Sequence, residues 1–271
     1  MGAYEQSAAI LAPSEEPAAE VFNPDGEAPI VFVCEHASFF VPESLAGLGL
    51  RQEDRLSHAA WDIGALAMAK QLSLHFDAPL VASRVSRLVY DCNRPPEAPD
   101  SIPARSETIV TPANANLTAA ERQLRVREVY KPFHALLAKT IEGRSPALPA
   151  IITIHSFTPV FFGVQRSVEL GLLHDTDDRL AQAMLAAAPR FTSMKSALNE
   201  PYGPADGVTH TLKAHALPAG LLNVMIEVRN DLVSDYAGAA RVAHELAGII
   251  EQGLEACDHP AIASSGKRVQ G

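Results

Sequence analysis

Cysteine is scarce in this chain: Cys34, Cys92 and Cys257 are the three in 271 residues, and none forms a Cys-x-x-Cys pair. An odd number of isolated thiols supports neither a disulfide framework nor a thiolate zinc cage, and it points to a reducing compartment, expected to be the cytoplasm. Basic residues are also few. The chain has 22 Lys and Arg against 32 Asp and Glu, a formal net charge of −10, and no window gathers the positive ones. Nucleic acid or an anionic membrane would need a basic patch as an electrostatic footprint, so neither is expected as a partner. No apolar run approaches the ~20 residues of a spanning helix. The start, Met1-Gly2-Ala3-Tyr4-Glu5, carries acid where a secretory signal carries base. A small soluble partner is the expectation that remains, and the oligomeric state stays open.

Apolar residues, by contrast, make up 47% of the chain, enough for a sizeable core in one domain. The organising stretch is Ile30-Val31-Phe32-Val33-Cys34-Glu35-His36-Ala37-Ser38, a short apolar run that stops at an acid and an imidazole. Such a run reads as a strand buried on both faces. A second, Ala150-Ile151-Ile152-Thr153-Ile154, ends the same way in His155-Ser156. Ligands in open α/β sheets bind beyond the carboxyl ends of the strands, so both histidines stand where chemistry is usually done.

The remaining pattern alternates strands with helices. Residues 1–27 have no periodicity and read as a flexible arm closed by the Asn23-Pro24-Asp25-Gly26 turn. Helical spacing runs from Arg51 to about Phe76, and a strand follows at Pro79-Leu80-Val81-Ala82-Ser83. A further short strand is expected before the polar turn Asp91-Cys92-Asn93-Arg94-Pro95-Pro96. The long loop from Pro95 to Asn116 reads as a lid or a disordered segment. Thr118 and Glu121 have capping-box spacing and start a helix, which Pro132 is expected to kink or split. Strands near Val168–His174 and Leu221–Ile226 and helices near Asp175–Ala188 and Ser234–Leu254 complete the pattern. It predicts a three-layer α/β fold, a mostly parallel or mixed central sheet with helices on both faces, as one domain over residues 28–257 followed by a polar tail at 258–271.

Four strand ends carry polar groups: Glu35-His36, Asn93-Arg94, His155-Ser156 and Glu227-Val228-Arg229. Catalytic zinc takes three protein ligands, commonly nitrogen and carboxylate oxygen, and leaves a position open. His36 and His155 supply two such ligands. A carboxylate near a metal but not bound to it can act as general base, the role expected of Glu227. Arginine beside asparagine gives a charge-assisted grip on a carboxylate or an oxyanion. His215, next to the Gly/Pro loop after Tyr202, is a candidate hydrogen-bonding contact to substrate, and His210 a second.

The blocks Glu-His-Ala-Ser, Trp-Asp-Ile-Gly-Ala, Ser-Arg-Leu-Val-Tyr-Asp-Cys-Asn-Arg-Pro, Ile-His-Ser-Phe and Ile-Glu-Val-Arg-Asn-Asp occur in this order. They resemble the N-formylglutamate amidohydrolase family over roughly Ile30 to Leu254. That family is similar to the zinc carboxypeptidase and aspartoacylase group, whose Asp-x-Asn-Arg block appears here as Asp91-Cys92-Asn93-Arg94. The resemblance implies a phosphorylase/hydrolase-like, carboxypeptidase-related fold. It also implies zinc-dependent hydrolysis of a small anionic N-acyl amino acid, N-formylglutamate giving formate and glutamate in histidine breakdown. Carried over residue by residue, it implies His36 and His155 as ligands and Glu227 as base. Arg87, Asn93 and Arg94 would grip the carboxylate and the oxyanion. One position departs from the carboxypeptidase pattern: Phe39 stands where a glutamate would follow the first histidine by three. The third ligand is then Asp62 or Glu35, with Asp62 preferred. Two alternatives stay open, a hydrolase of the same fold for another N-acyl amino acid or a peptide, and a non-catalytic binding protein that retains the pocket.

Overall fold

In the computed structural model, which describes residues 9–144 and 149–259, seven strands form one sheet. They are β1 (Ala19–Phe22), β2 (Ile30–Cys34), β3 (Leu80–Ser83), β4 (Ala150–Phe157), β5 (Leu170–Leu173), β6 (Ser196–Leu198) and β7 (Asn223–Arg229). Their order is β1-β3-β2-β4-β7-β5-β6. The inner strands β3, β2, β4 and β7 run parallel, while β1 on one side and β5 on the other pair antiparallel to their neighbours. The sheet is therefore mixed, parallel at its centre.

Every residue of β2 and β4 is buried, because both faces of the sheet are covered. Side chains alternate across a strand, so Ile30, Phe32 and Cys34 share one core with Ile152, Ile154, Val224 and Ile226. That core lies under helices α1 (Ala65–Phe76), α4 (Arg179–Ala187) and α5 (Tyr236–Ala256). The alternate residues Val31, Val33, Ile151 and Met225 face a second core. It is closed by α3 (Lys131–Glu142), which follows α2 (Ala119–Arg125) through one wider turn, and by the chain around Leu88–Cys92 and Leu212–Ala216. Three layers result, as the sequence pattern predicts.

Several local expectations change. Residues 9–27 are not a loose arm throughout: Ala19–Phe22 adds an antiparallel edge strand to β3. Residues 1–8 of the expected arm, and 260–271 of the expected tail, lie outside the described residues. The helix expected from Arg51 to Phe76 is broken, with one turn at Gln52–Arg55 and a restart at Ala65. Gly64 is the reason, since its φ of 83° is left-handed and a Cβ there would stand 2.2 Å from the Val233 carbonyl. Trp61-Asp62-Ile63-Gly64 is consequently a turn. No strand forms between Arg84 and Tyr90, where Ser86 instead accepts from the backbone of Val89 and Tyr90. The expected break near Pro132 takes the form of a π-turn: Val126–Tyr130 interrupts the α-helical run, and Pro132 sits in the first turn of α3, where a missing N–H is tolerated. The capping box of Thr118 and Glu121 forms. Among the described residues no helix is long and apolar enough to cross a membrane.

Candidate metal centre and active site

The sheet register gathers the polar strand ends. Glu227 on β7 is paired with His155 on β4, and Val33 on β2 with Thr153 on β4, so two residues on Glu35 comes level with His155. Residues at even spacing share a face, which places Glu35, His155 and Glu227 on the side of the second core. His36 follows one residue after Glu35. The turn that contains Asp62 is drawn in by its own backbone, the Asp62 amide donating to the His36 carbonyl at 3.0 Å. Ser156 Oγ fastens the same turn by donating to the Ile63 carbonyl at 2.7 Å.

Three buried donor atoms meet there. His36 Nδ1 lies 3.2 Å from Asp62 Oδ2, His155 Nδ1 lies 2.9 Å from that same oxygen, and the two Nδ1 atoms are 3.2 Å apart. The far nitrogens face other carboxylates: His36 Nε2 is 2.7 Å from Asp91 Oδ1, and His155 Nε2 is 3.1 Å from Glu35 Oε2. The second of these is an ion-pair distance without hydrogen-bond alignment. An ionised carboxylate can only accept, so an N–H on each Nε2 leaves the two Nδ1 atoms bare, whereas a proton on Nδ1 is donated to Asp62 Oδ2. In either case two imidazole nitrogens and a carboxylate oxygen converge on one spot. Donor atoms around a tetrahedral ion with bonds of ~2.0 Å stand about 3.3 Å apart, close to the spacing observed. The residues therefore fit a divalent metal with carboxylate-backed histidines.

The electrostatics agree with a cation at that spot. Burial works against charge on His155, yet Glu35 and Asp62 hold its proton affinity well above the usual imidazole range. Burial likewise disfavours ionised Asp62, but His36 and Arg87 keep its carboxyl well below the usual range. Asp91, also buried, is held low by His36 and Arg87. Glu227 is the exception. Burial lifts its carboxyl to about 7, and Oε2 has no hydrogen-bond partner among the described residues. Arg229 pairs outward with Glu169 and Asp231 and leaves Glu227 unneutralised.

The site opens into a cavity of about 390 Å³, a volume suited to a small molecule. His36, Asp62, Arg87, Asn93, Arg94 and Glu227 all line it. Glu35 and His155 lie behind that wall, and of the two candidates for a third ligand only Asp62 joins the convergent atoms. Phe39 stays out of the site, packing edge-on against Trp61 with ring centroids 5.2 Å apart. Arg87 Nη1 donates to Asp62 Oδ1 at 2.8 Å. Asn93 is held at both ends: its Nδ2 donates to the Val208 carbonyl at 2.5 Å and its Oδ1 accepts from the Thr211 amide at 3.0 Å. Arg94 is clamped by Asp100 at 2.8 Å and by the Gly207 carbonyl at 2.7 Å.

The structure does not bring His215 or His210 to the cavity wall. His215 Nε2 is 2.7 Å from His134 Nδ1, and His134 Nε2 donates to the Cys92 carbonyl at 2.9 Å, so this pair buttresses the Asp91–Arg94 turn from behind. His210 meets the Tyr130 hydroxyl at 3.0 Å. Burial pushes His134 down to about 4 from the usual 6.5. The unfolded chain takes up that proton near pH 6.5 and the folded chain only near 4. The contribution is therefore complete above the unfolded value and lost as pH falls from about 6.5 toward 4, to a limit of about 3 kcal/mol at ~1.4 per unit. Urea midpoints at pH 7.5 and 5.0 check this: His134→Asn should show a clearly shallower loss than the wild type, and an identical slope would refute it.

Sequence reasoning gave no role to Asp91, Arg105, Glu107 or Tyr202, all of which line the cavity. Asp91 was detectable, since it is a carboxylate directly after an apolar run, the pattern that singled out Glu227. Glu107 and Tyr202 sit on loops and Arg105 in a two-residue ribbon strand, where periodicity carries no signal.

A family model for N-formylglutamate amidohydrolase matches residues 28–234. The crystal structure of gene product Atu2144 from Agrobacterium tumefaciens is 47% identical and superposes with a TM-score of 0.89, covering 92% of this chain and 100% of that one. The N-formylglutamate amidohydrolase from Ralstonia eutropha JMP134 is 18% identical with a TM-score of 0.59, covering 89% of this chain and 98% of its own, a likeness of fold. No curated protein matches the chain.

Proposed function

The chain belongs to the N-formylglutamate amidohydrolase family, and from that premise we propose that it hydrolyses N-formyl-L-glutamate to formate and L-glutamate. The observation that carries the reading is the convergence of His36 Nδ1, His155 Nδ1 and Asp62 Oδ2 beside an unpartnered Glu227. We assign the first three as ligands of one divalent metal ion, zinc by its preference for imidazole and carboxylate. When bound, such an ion polarises the scissile carbonyl and eases deprotonation of water.

The chain's own residues do the rest. Glu227, whose Oε2 has no hydrogen-bond partner among the described residues, takes the proton from water as it attacks the formyl carbon. It returns that proton to the departing amine nitrogen, so one group serves as base and then as acid. Arg94, immobilised by Asp100 and the Gly207 carbonyl, lines the cavity and has one Nη2 N–H left to donate to the developing oxyanion. Arg87 and Asn93 act through neighbours rather than on substrate: Arg87 keeps Asp62 ionised, and Asn93 locks the turn to Val208 and Thr211. Asp91 and Glu35 orient the two imidazoles. A reducing cytoplasm suits the three free thiols, and the products fit a step of histidine breakdown.

Formate release from N-formylglutamate, measured beside acetate release from N-acetylaspartate and cleavage of a short peptide, tests the substrate. N-formylglutamate should be preferred by at least tenfold in kcat/KM. Preference for either of the others would keep the amidohydrolase and replace the substrate.

A further inference from the structure

The cavity is lined by more acid than base. Six carboxylates border it, Asp62, Asp91, Asp100, Glu107, Asp206 and Glu227, in a chain whose net charge is −10. An anionic substrate entering such a site needs a cation that is not already spent. Three arginines line the wall, Arg87, Arg94 and Arg105. Arg87 stands 2.8 Å from Asp62 and 3.7 Å from Asp91, and so answers two acids. Arg94 uses its Nε on Asp100 and its Nη groups on the carbonyls of Asn93, Asp206 and Gly207. Arg105 has no side-chain partner among the described residues and is exposed at the rim.

The rim segment that carries it is held in place. Arg105-Ser106 pairs with Ile109-Val110 in a small antiparallel ribbon, Arg105 opposite Val110. At the tip, Glu107 reaches in two directions: Oε1 accepts from the Phe162 amide at 2.8 Å and Oε2 meets His58 Nε2 at 3.0 Å. The Thr111 amide closes the base of the ribbon on the Ala104 carbonyl at 2.9 Å. Below it, Asn114 Nδ2 donates to the carbonyls of Leu88 and Pro103, both at 2.8 Å, and buried Arg125 holds Asn114 Oδ1. The Pro95–Asn116 loop thus anchors the backbone that carries an unspent guanidinium at the mouth. A guanidinium at the rim, with the chemistry at the strand ends below, matches a substrate that has a carboxylate remote from its scissile amide.

We infer that Arg105 is the specificity-determining residue for the remote carboxylate of a dicarboxylic N-acyl amino acid, which it binds through charge-assisted, bidentate hydrogen bonds. The inference deepens the proposed amidohydrolase reading and names the group that separates an acidic amino acid from its neutral amide.

Calorimetry on the metal-loaded protein tests it without turnover, using glutarate as a dicarboxylate and butyrate as its monocarboxylate counterpart. Arg105→Gln should weaken glutarate binding ~10–100-fold and leave butyrate unchanged, the range expected for a lost charge-assisted contact. Arg105→Lys should recover part of the loss, because an ammonium keeps the charge without the fork. In turnover, Arg105→Gln should raise KM for N-formylglutamate by a similar factor while kcat stays within about threefold and N-formylglutamine is unaffected. An Arg105→Gln protein that binds glutarate like the wild type overturns the inference, as does a wild type that does not distinguish glutarate from butyrate. If glutarate binding depends on Arg105 but no formate is released, the reaction assigned above falls and the inference about Arg105 stands.

Discussion

Glu227→Gln is expected to lower kcat for formate release by ~10²–10⁴-fold, the range in which a positioned acid-base group contributes. Metal content should be unchanged, because Glu227 is not among the three convergent donors. The substitution keeps the shape and removes only the ability to accept and return a proton. If the variant loses its metal along with its activity, Glu227 is a ligand and the base lies elsewhere.

Stability gives the same substitution a second readout with the opposite sign. Burial raises the Glu227 carboxyl to about 7 from the usual 4.5, so the folded chain disfavours the charged form. A raised carboxyl favours folding in its neutral form, and that advantage is lost as pH rises from about 4.5 through 7. Above pH 7 the metal-free wild type carries a buried anion that the glutamine variant does not, and its desolvation costs stability. Metal-free Glu227→Gln should therefore melt several degrees above metal-free wild type at pH 8, and at the same temperature at pH 4. An inactive variant that is more stable is the signature of a residue kept for chemistry.

The parts of this site that the sequence revealed are those carried by buried strands. Short apolar runs ending in an acid or an imidazole locate Glu35, His36, His155 and Glu227 from the sequence, because alternation along a strand fixes which side chains share a face. The turns were less legible. A helical count through Arg51–Phe76 overlooked the break at Gly64, since hydrophobic spacing does not register that Val233 leaves no room for a Cβ. That break is what directs Asp62 at His36 and His155. The choice between Asp62 and Glu35 rests on the same geometry: Glu35 adjoins His36 in the sequence and Asp62 lies 26 residues from it, and only the sheet register and the turn place Glu35 behind His155 and Asp62 in front. The edge strand Ala19–Phe22 was read as irregular because four residues paired on one side carry little pattern. Which arginine is free depends on distances to Asp62, Asp91 and Asp100 that a sequence does not contain.

His155→Ala should abolish both metal retention and formate release, with activity down by at least ~10³-fold. The imidazole is buried between Glu35 and Asp62 and supplies one of three donor atoms within 4.8 Å of one another, so no neighbouring side chain can replace it. Chelation of the wild type should have the same effect reversibly, with activity returning as zinc is added back toward one equivalent. Glu35→Gln separates the ligands from the groups that orient them: it preserves the three donors but loses the anion facing His155 Nε2, and metal affinity should fall ~10–100-fold rather than vanish. The metal also bears on folding, because an ion that binds only the native state at ~1,000 times its Kd adds about 4 kcal/mol. Chelated wild type should accordingly melt well below the zinc-loaded protein, while His155→Ala should melt at one temperature whether or not zinc is present. A purely hydrogen-bonded cluster of His36, Asp62 and His155 makes the contrary prediction, since a chelator would then change neither activity nor melting temperature. That result would remove the metal from this site and, with it, the role assigned to Glu227.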